Sequence, residues 1–174
     1  MIPAPLRLPL LTVLFAGLMA LGAWIDVPMH PVPMTMQSFA VLLAGAVLGP
    51  RWSVVAVLLY LALALIGLPV LSDGAGGPAP FTGATAGYLF AFPVVAGVAG
   101  LAARRGWLTH PLPSVAILFG LHLILLALGG AWLATKIGVA DALAQGVTPF
   151  LIGASVKSAL VWIGWRLLRR FQTR

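Results

Sequence analysis

The feature that most constrains this chain is a series of six long apolar runs that charged residues hardly interrupt. Most of the runs approach the roughly 20 residues that a helix needs to cross about 30 Å of hydrocarbon. The 174 residues include ten basic and three acidic side chains, and 61% are apolar. Water-soluble domains have about 25% charged residues. A chain with only 13 charged residues could not cover its surface as they do. We therefore expect an all-α integral membrane protein, a six-transmembrane-helix bundle.

The predicted spans are helices rather than strands of a barrel. Barrel strands would alternate apolar and polar residues over about ten positions, and these runs do not alternate. The residues left over suffice only for loops and ends, so residues 1–174 are expected to form a single domain. The predicted spans are Leu8–Ile25, Met34–Gly49, Trp52–Leu71, Thr85–Ala103, Ser114–Ala134 and Pro149–Leu168.

All the arginines fall on one side of a six-span arrangement. The positive-inside rule makes that side cytoplasmic, and an even number of spans places both termini there. The basic charge is thus a topology signal that points to lipid headgroups and not to nucleic acid. The arginines are Arg7, Arg51, Arg104, Arg105, Arg166, Arg169, Arg170 and Arg174.

The connections on the opposite side are long and rich in proline and glycine. They cover residues 26–33, 72–83 and 135–148. Proline and glycine are typical of loops with a defined shape and accessible backbone amides. We expect ordered outer loops that cover an outward-facing pocket. The alternative is that they are ordinary connectors.

Nucleotide and metal sites are not expected in this chain. The Gly153–Ser158 segment resembles a phosphate-binding loop but lacks the glycine before its lysine, and Gly74–Gly77 lacks the third glycine and the flanking strand of a dinucleotide site. Energy from ATP, where it is used, must come from another subunit. Cysteine is absent, which excludes thiolate metal sites. We expect no cofactor and no metal.

Lys157 is the one charge deep inside a predicted span. A lysine at the bilayer centre costs about 3 kcal/mol on insertion scales, so it must face a polar cavity or reach the interface. Because no predicted span contains a carboxylate, an anionic ligand is its natural partner, while reaching the interface stays the alternative. Polar side chains at the outer ends of spans two and four could line the same pocket: Thr35, Gln37, Ser38, Thr85 and Tyr88.

His122, inside the fifth span, keeps an enzymatic alternative open. Paired with Ser155 or Ser158 of the sixth span, it would form the Ser–His arrangement of an intramembrane hydrolase. A buried structural histidine is the competing interpretation. The three aspartates stand in three separate loops, so a catalytic carboxylate pair is not expected.

A set of motifs, in order from the first span to the last, resembles the BioY family, the biotin-binding membrane subunits of energy-coupling factor (ECF) transporters. The resemblance implies a high-affinity S component for biotin uptake in the cytoplasmic membrane of a prokaryote. It also implies a coupling membrane subunit and two ATPase subunits as partners, although some members work without them, and a homo-oligomer stays open. The motifs are Val32–Gly45, Tyr60 with Gly67–Val70, the Gly/Pro loop, Gly83–Leu89 and Pro149–Lys157.

The resemblance, together with biotin chemistry, suggests roles for particular residues. Lys157 would take the carboxylate, and Tyr88, Phe39 and Met34 would pack on the bicyclic ring. Small residues on the first span, Ala16 and Ala20, would contact the coupling subunit. The full predicted ligand set is Lys157, Tyr88, Gln37, Thr35, Met34, Phe39, Asp73, Gly76, Gly77, Thr85 and Ser155.

The chain departs from the family pattern at Ala154. Family members usually carry an aspartate there, three residues before the lysine, and that acid is expected to hydrogen-bond the ureido ring. Asp73, Ser155 and Gln37 are the candidates to replace it.

Overall fold

The structure, a computed structural model, describes residues 4–172, with side chains described from residue 6 to residue 169. Arg174 and the side chain of Arg170 lie outside this description. Within it, five helices are long and apolar enough to cross a membrane. They are α1 (Ala4–Ala23), α2 (Gln37–Leu65), α3 (Ala86–Arg104), α4 (Pro111–Ile137) and α6 (Phe150–Gln172), with a four-residue α5 (Val139–Ala142) between the last two.

Helix α2 reverses its direction at Gly49. Nε2 of Gln37 donates to the hydroxyl of Tyr60 at 2.7 Å. In a straight helix these two residues, 23 positions apart, would be separated by about 35 Å at 1.5 Å per residue. The break lies at Gly49, whose φ of 76° and ψ of 177° are not helical, just before Pro50. The second and third predicted spans are therefore the two halves of one broken element.

Close packing against α3 holds this reversal in place. A Cβ added to Gly100 of α3 would lie 2.5 Å from the carbonyl carbon of Gly49 and from the nitrogen of Pro50. A Cβ on Gly45 would likewise lie 2.5 Å from the carbonyl oxygen of Ala96. Only glycine leaves room for backbones at this separation, so α2 and α3 form the tightly packed centre of the bundle.

Two of the predicted boundaries need correction. The third predicted span was expected to reach Leu71, but the helix ends at Leu65, and Gly67 with φ of 99° turns the chain. Residues 135–148 were expected to form a loop and are mostly helical. Helix α4 continues to Ile137, Gly138 with φ of 87° ends it, and α5 then leads into a π-helical turn.

The other two outer connections are tied to the bundle by hydrogen bonds. Strands β1 (Asp26–Val27) and β2 (Met34–Thr35) pair antiparallel across the first connection. In the second, the amide of Gly77 donates to the carbonyl of Ala64 at 2.7 Å. The indole of Trp132 in α4 donates to the carbonyl of Gly83 at 2.8 Å. These contacts fix both connections over the same end of the bundle.

The outward faces of the long helices are apolar, as expected for contact with lipid. Leu14 of α1, Leu128 of α4 and Ile152 of α6 are 57%, 45% and 80% exposed. The polar side chains lie inside instead, which is the reverse of a water-soluble protein. The buried polar residues are Thr12, Gln37, Ser38, Ser53, Ser114, His122, Lys157 and Ser158.

The predicted partner-docking residues Ala16 and Ala20 both pack toward the core of this chain, and their contact with a coupling subunit stays a prediction. Ala16 is 3% exposed and belongs to the core, and Ala20 packs against the core. Small residues do allow a close helix approach here, but the approach is internal. A Cβ on Gly22 would lie 3.0 Å from the carbonyl carbon of Met36 at the start of α2.

Candidate ligand-binding site

A cavity of about 250 Å³ lies between the β1–β2 connection, the 66–85 connection and helices α2, α3, α4 and α6. Apolar side chains form most of its wall, and nine polar side chains lie among them. This combination is typical of small-molecule sites. The apolar wall includes Val32, Leu71, Leu89, Phe92, Leu125, Leu126 and Phe150, and the polar groups are Thr35, Gln37, Ser38, Ser72, Asp73, Thr85, Tyr88, His122 and Lys157.

Lys157 supplies the buried positive charge of the cavity wall. Its side chain is 8% exposed. Nζ donates to the carbonyl of Thr35 at 2.7 Å and to the hydroxyl of Ser38 at 3.3 Å. In the described part of the chain, the hydrogen bonds of this ammonium reach a carbonyl and a hydroxyl but not a carboxylate. An ammonium has three N–H donors, so a third donor and the net charge remain for a ligand.

A buried chain of hydrogen bonds positions Gln37. Its amide nitrogen donates to the hydroxyl of Tyr60, and that hydroxyl donates to the carbonyl of Val70 at 3.0 Å. The amide orientation follows from this network, because the tyrosine proton is already given to Val70. The network links both halves of α2 to the 66–85 connection. It leaves the oxygen of Gln37 as an acceptor for other groups.

Tyr88 is held as a rigid part of the wall. Its hydroxyl donates to the carbonyl of Gly146 at 2.7 Å, and its ring stacks on Phe150 with the centroids 6.4 Å apart. A Cβ on Gly129 of α4 would lie 2.1 Å from the Tyr88 ring, so that glycine makes the space for it. Because the hydroxyl is occupied, Tyr88 contributes its ring and not a free donor.

The cavity brings together six of the eleven predicted ligand residues. These six are Lys157, Tyr88, Gln37, Thr35, Asp73 and Thr85. Lys157, in α6, and Gln37, at the start of α2, are 120 positions apart in the sequence, and both are buried. The outer ends of the spans therefore converge as the sequence suggested.

The other five predicted residues lie outside the cavity wall. Ser155 is exposed and donates to the carbonyl of Leu151 at 3.0 Å, because two positions along a helix turn a side chain to the opposite face from Lys157. Gly76 and Gly77 shape the 66–85 connection instead. The five residues are Met34, Phe39, Gly76, Gly77 and Ser155.

Sequence reasoning missed several wall residues, and five of them lie on α4 and α6. His122, Leu125 and Leu126 follow the spacing of one helix face, and this pattern could have identified them. Phe150 and Phe92 carry no such signal. They enter the wall because of how α6 and α3 pack.

His122 and Ser158 do meet, but not as a catalytic pair. Nδ1 of His122 lies 3.1 Å from the carbonyl of Leu118 and 3.0 Å from the hydroxyl of Ser158. Since a carbonyl only accepts, we assign the ring hydrogen to Nδ1. The proton of Ser158 goes to the carbonyl of Ala154 at 2.7 Å. Nδ1 therefore has no lone pair with which to activate the serine.

Comparisons with known proteins agree with this fold. The model of the BioY family matches residues 3–174. A probable biotin transporter BioY from Pyrococcus horikoshii is 40% identical over 149 residues, which cover 86% of this chain and 88% of that protein. The biotin transporter BioY from Rhizobium etli is 38% identical over 176 residues, covering 91% of this chain and 94% of that protein.

A solved structure matches the whole architecture. It is the crystal structure of the S-component for biotin from an ECF-type ABC transporter. The TM-score is 0.80 at 26% sequence identity, and the match covers 98% of this chain and 95% of that one. The resemblance found in the motifs is therefore confirmed over nearly the full length, and the chain belongs to the BioY family.

Proposed function

We propose that this protein binds biotin in the cavity and takes it up across the cytoplasmic membrane as the substrate-binding subunit of an ECF-type transporter. The observation that carries the proposal is the buried ammonium of Lys157 in an apolar cavity, bonded to a carbonyl and a hydroxyl. Its relatives are named biotin transporters, and the solved structure of similar fold is an S-component for biotin. They are transporters and not enzymes, so the hydrolase alternative is not retained.

The cavity and biotin match in chemical character. Biotin has a carboxylate at one end, an apolar bicyclic ring and a ureido group with two N–H donors and a carbonyl acceptor. Lys157 is suited to the carboxylate through a charge-assisted hydrogen bond. The rings of Tyr88, Phe92 and Phe150 suit the apolar bicycle. Gln37, Thr35, Thr85 and Asp73 would supply further polar contacts.

For the membrane arrangement, we propose six crossings with both termini in the cytoplasm. The two halves of α2 would each form one crossing, meeting at the Gly49 reversal. The arginines support this orientation, since Arg51, Arg104 and Arg169 line a common cleft beside the reversal. The candidate cavity lies at the end formed by the outer connections, which would face outward. The positive-inside rule then places the arginine cleft at the cytoplasmic surface of a prokaryotic inner membrane.

Energy for uptake would come from partner subunits. The glycine-rich segments of this chain form a turn and part of a membrane helix. A coupling membrane subunit and two ATPases are the partners of an ECF-type transporter. Whether this member also works without them is decided by the uptake experiment below.

The direct test is biotin binding by the purified protein in detergent. Radiolabelled biotin should be retained on gel filtration, and unlabelled biotin should displace it. Thiamine, a vitamin without a ureido ring, should not. Failure to retain biotin under conditions where the protein stays folded would overturn the proposal.

Uptake is tested in a bacterial strain that can neither make nor import biotin. Expression of this chain alone and with coupling and ATPase subunits separates the two modes of action. Growth on low biotin in neither case would contradict the transport function. The exposed-lysine variant Lys136→Ala, away from the cavity wall, is the control for expression and insertion.

A further inference from the structure

Nε2 of His122 is the buried polar side-chain atom that the structure leaves unsatisfied. Among the described residues, it is the one buried side-chain nitrogen or oxygen without a hydrogen-bond partner. The residue is 2% exposed, and its ring forms part of the wall of the ligand cavity. A buried acceptor that loses water without gaining a partner is costly, so such an atom calls for an explanation.

The chemical character of this atom follows from the other ring nitrogen. Nδ1 carries the hydrogen, because it faces the carbonyl of Leu118 at 3.1 Å as well as the hydroxyl of Ser158. In the neutral ring, Nε2 is then a hydrogen-bond acceptor. It has no donor among the described residues, and because His122 lines the cavity, a bound ligand is the candidate to supply one.

None of the hydrogen bonds that Lys157, Gln37 and Tyr88 donate in this cavity reaches Nε2 of His122. Lys157 donates to Thr35 and Ser38, the amide of Gln37 donates to Tyr60, and the hydroxyl of Tyr88 donates to Gly146. Asp73, the carboxylate of the wall, is exposed and can be satisfied by water. The buried acceptor of His122 therefore has the most to gain from a ligand N–H.

We propose that Nε2 of His122 accepts a hydrogen bond from a ureido N–H of the ligand, and that this contact selects for a cyclic urea. The proposal rests on the proposed function. His122 on α4 would hold the ureido end while Lys157 on α6 takes the carboxylate. Ala154, whose carbonyl accepts from the same Ser158 hydroxyl that contacts His122, adds only a methyl group to the wall, so the imidazole does not compete there with a carboxylate at that position. Selectivity for the urea then arises from a buried acceptor that the protein itself leaves unsatisfied.

Two substitutions separate the ligand contact from the structural role of the ring. His122→Gln can place a polar atom where Nε2 lies and gives up the Nδ1 contacts. His122→Asn keeps a polar group near Nδ1 and removes the one at Nε2. We expect His122→Gln to bind biotin within about 3-fold of the wild type, and His122→Asn to bind about 10-fold more weakly, the loss of one hydrogen bond. A purely structural histidine predicts the opposite order, and that order would overturn the inference.

Ligand analogues give a test that does not depend on how the variants fold. In two analogues, a ring oxygen replaces one or the other ureido N–H of biotin, which removes a donor without adding bulk. One of the two should bind the wild type about 10-fold more weakly and lose little more on His122→Asn. If the wild type binds biotin and both analogues equally well, the inference about His122 is wrong, while the proposed function stands. If the wild type does not bind biotin at all, the proposed function fails instead.

Discussion

Gln37 and Tyr60 form a hydrogen bond of 2.7 Å although the residues belong to opposite arms of the reversed helix α2. The same tyrosine hydroxyl donates to Val70, so three separate parts of the chain meet at one buried oxygen. Tyr60 is fully buried, and Gln37 lies on the cavity wall. The outer end of α2 is thus fixed before a ligand enters, which lowers the ordering cost of binding.

This junction predicts that Tyr60→Phe destabilises the protein. The substitution leaves both the amide of Gln37 and the carbonyl of Val70 without their partner, at roughly 1–3 kcal/mol for each unsatisfied buried group. Thermal unfolding in detergent measures the effect. Tyr88→Phe is the matched control, because its hydroxyl serves only the Gly146 carbonyl and its loss should lower Tm by less. Equal changes in Tm for the two variants would show that the Gln37–Tyr60–Val70 junction stabilises the protein no more than a single hydrogen bond does.

The contact between α3 and the α2 reversal predicts opposite effects for two glycine-to-alanine substitutions. A Cβ at Gly100 would collide with the backbone of Gly49 and Pro50, so Gly100→Ala should destabilise by about 1–3 kcal/mol. Gly120 of α4 has nothing within 4 Å of the same position. Gly120→Ala should therefore be neutral or stabilise by about 0.5–1 kcal/mol through helix propensity. Thermal unfolding of both variants in detergent measures these effects. An unchanged Tm for Gly100→Ala would contradict the packing argument.

The proposed orientation is tested with two matched threonines. Thr82 and Thr109 are both exposed, and each donates its hydroxyl to a carbonyl three residues earlier. Thr82 lies in the connection after α2 and Thr109 in the one after α3. In intact cells, a membrane-impermeant maleimide should label Thr82→Cys and spare Thr109→Cys, which should react after lysis. The reverse pattern would place the arginines outside.

The apolar runs predicted the helices well, because lipid allows little else to surround a spanning segment. The structure places Lys157 on the cavity wall, one of the two positions that the cost of a charge inside a membrane helix left open. The inward position of Ala16 was not predicted, because small residues serve internal and external helix contacts equally well. Ser155 need not have been included in the predicted ligand set, since its spacing from Lys157 already puts the two on different helix faces.

Other features depend on packing that no local pattern encodes. The Pro50–Arg51 break indicated a connection, but not that it would bring Gln37 to Tyr60. The helical turns of residues 139–147 fall in a segment of ordinary loop composition. The unsatisfied nitrogen of His122 exists only because Leu118 and Ser158 occupy the other side of the ring.

The last prediction concerns the charge of Lys157. If its ammonium binds the ligand carboxylate, the charge-assisted hydrogen bond contributes roughly 1.5–3 kcal/mol. Lys157→Ala should then weaken biotin binding by roughly 10- to 150-fold, since about 1.4 kcal/mol corresponds to a factor of ten. The matched variant Lys136→Ala, an exposed lysine beside the Trp132 ring, should bind as the wild type does.

Biotin amide, which lacks the carboxylate charge, completes a double-mutant cycle for this contact. It should bind the wild type about as weakly as biotin binds Lys157→Ala. It should lose little more on that variant, because the partner is already gone. If the two losses simply add, Lys157 and the carboxylate do not meet. The lysine would then serve to hold Thr35 and Ser38 at the start of α2, where its two hydrogen bonds already lie.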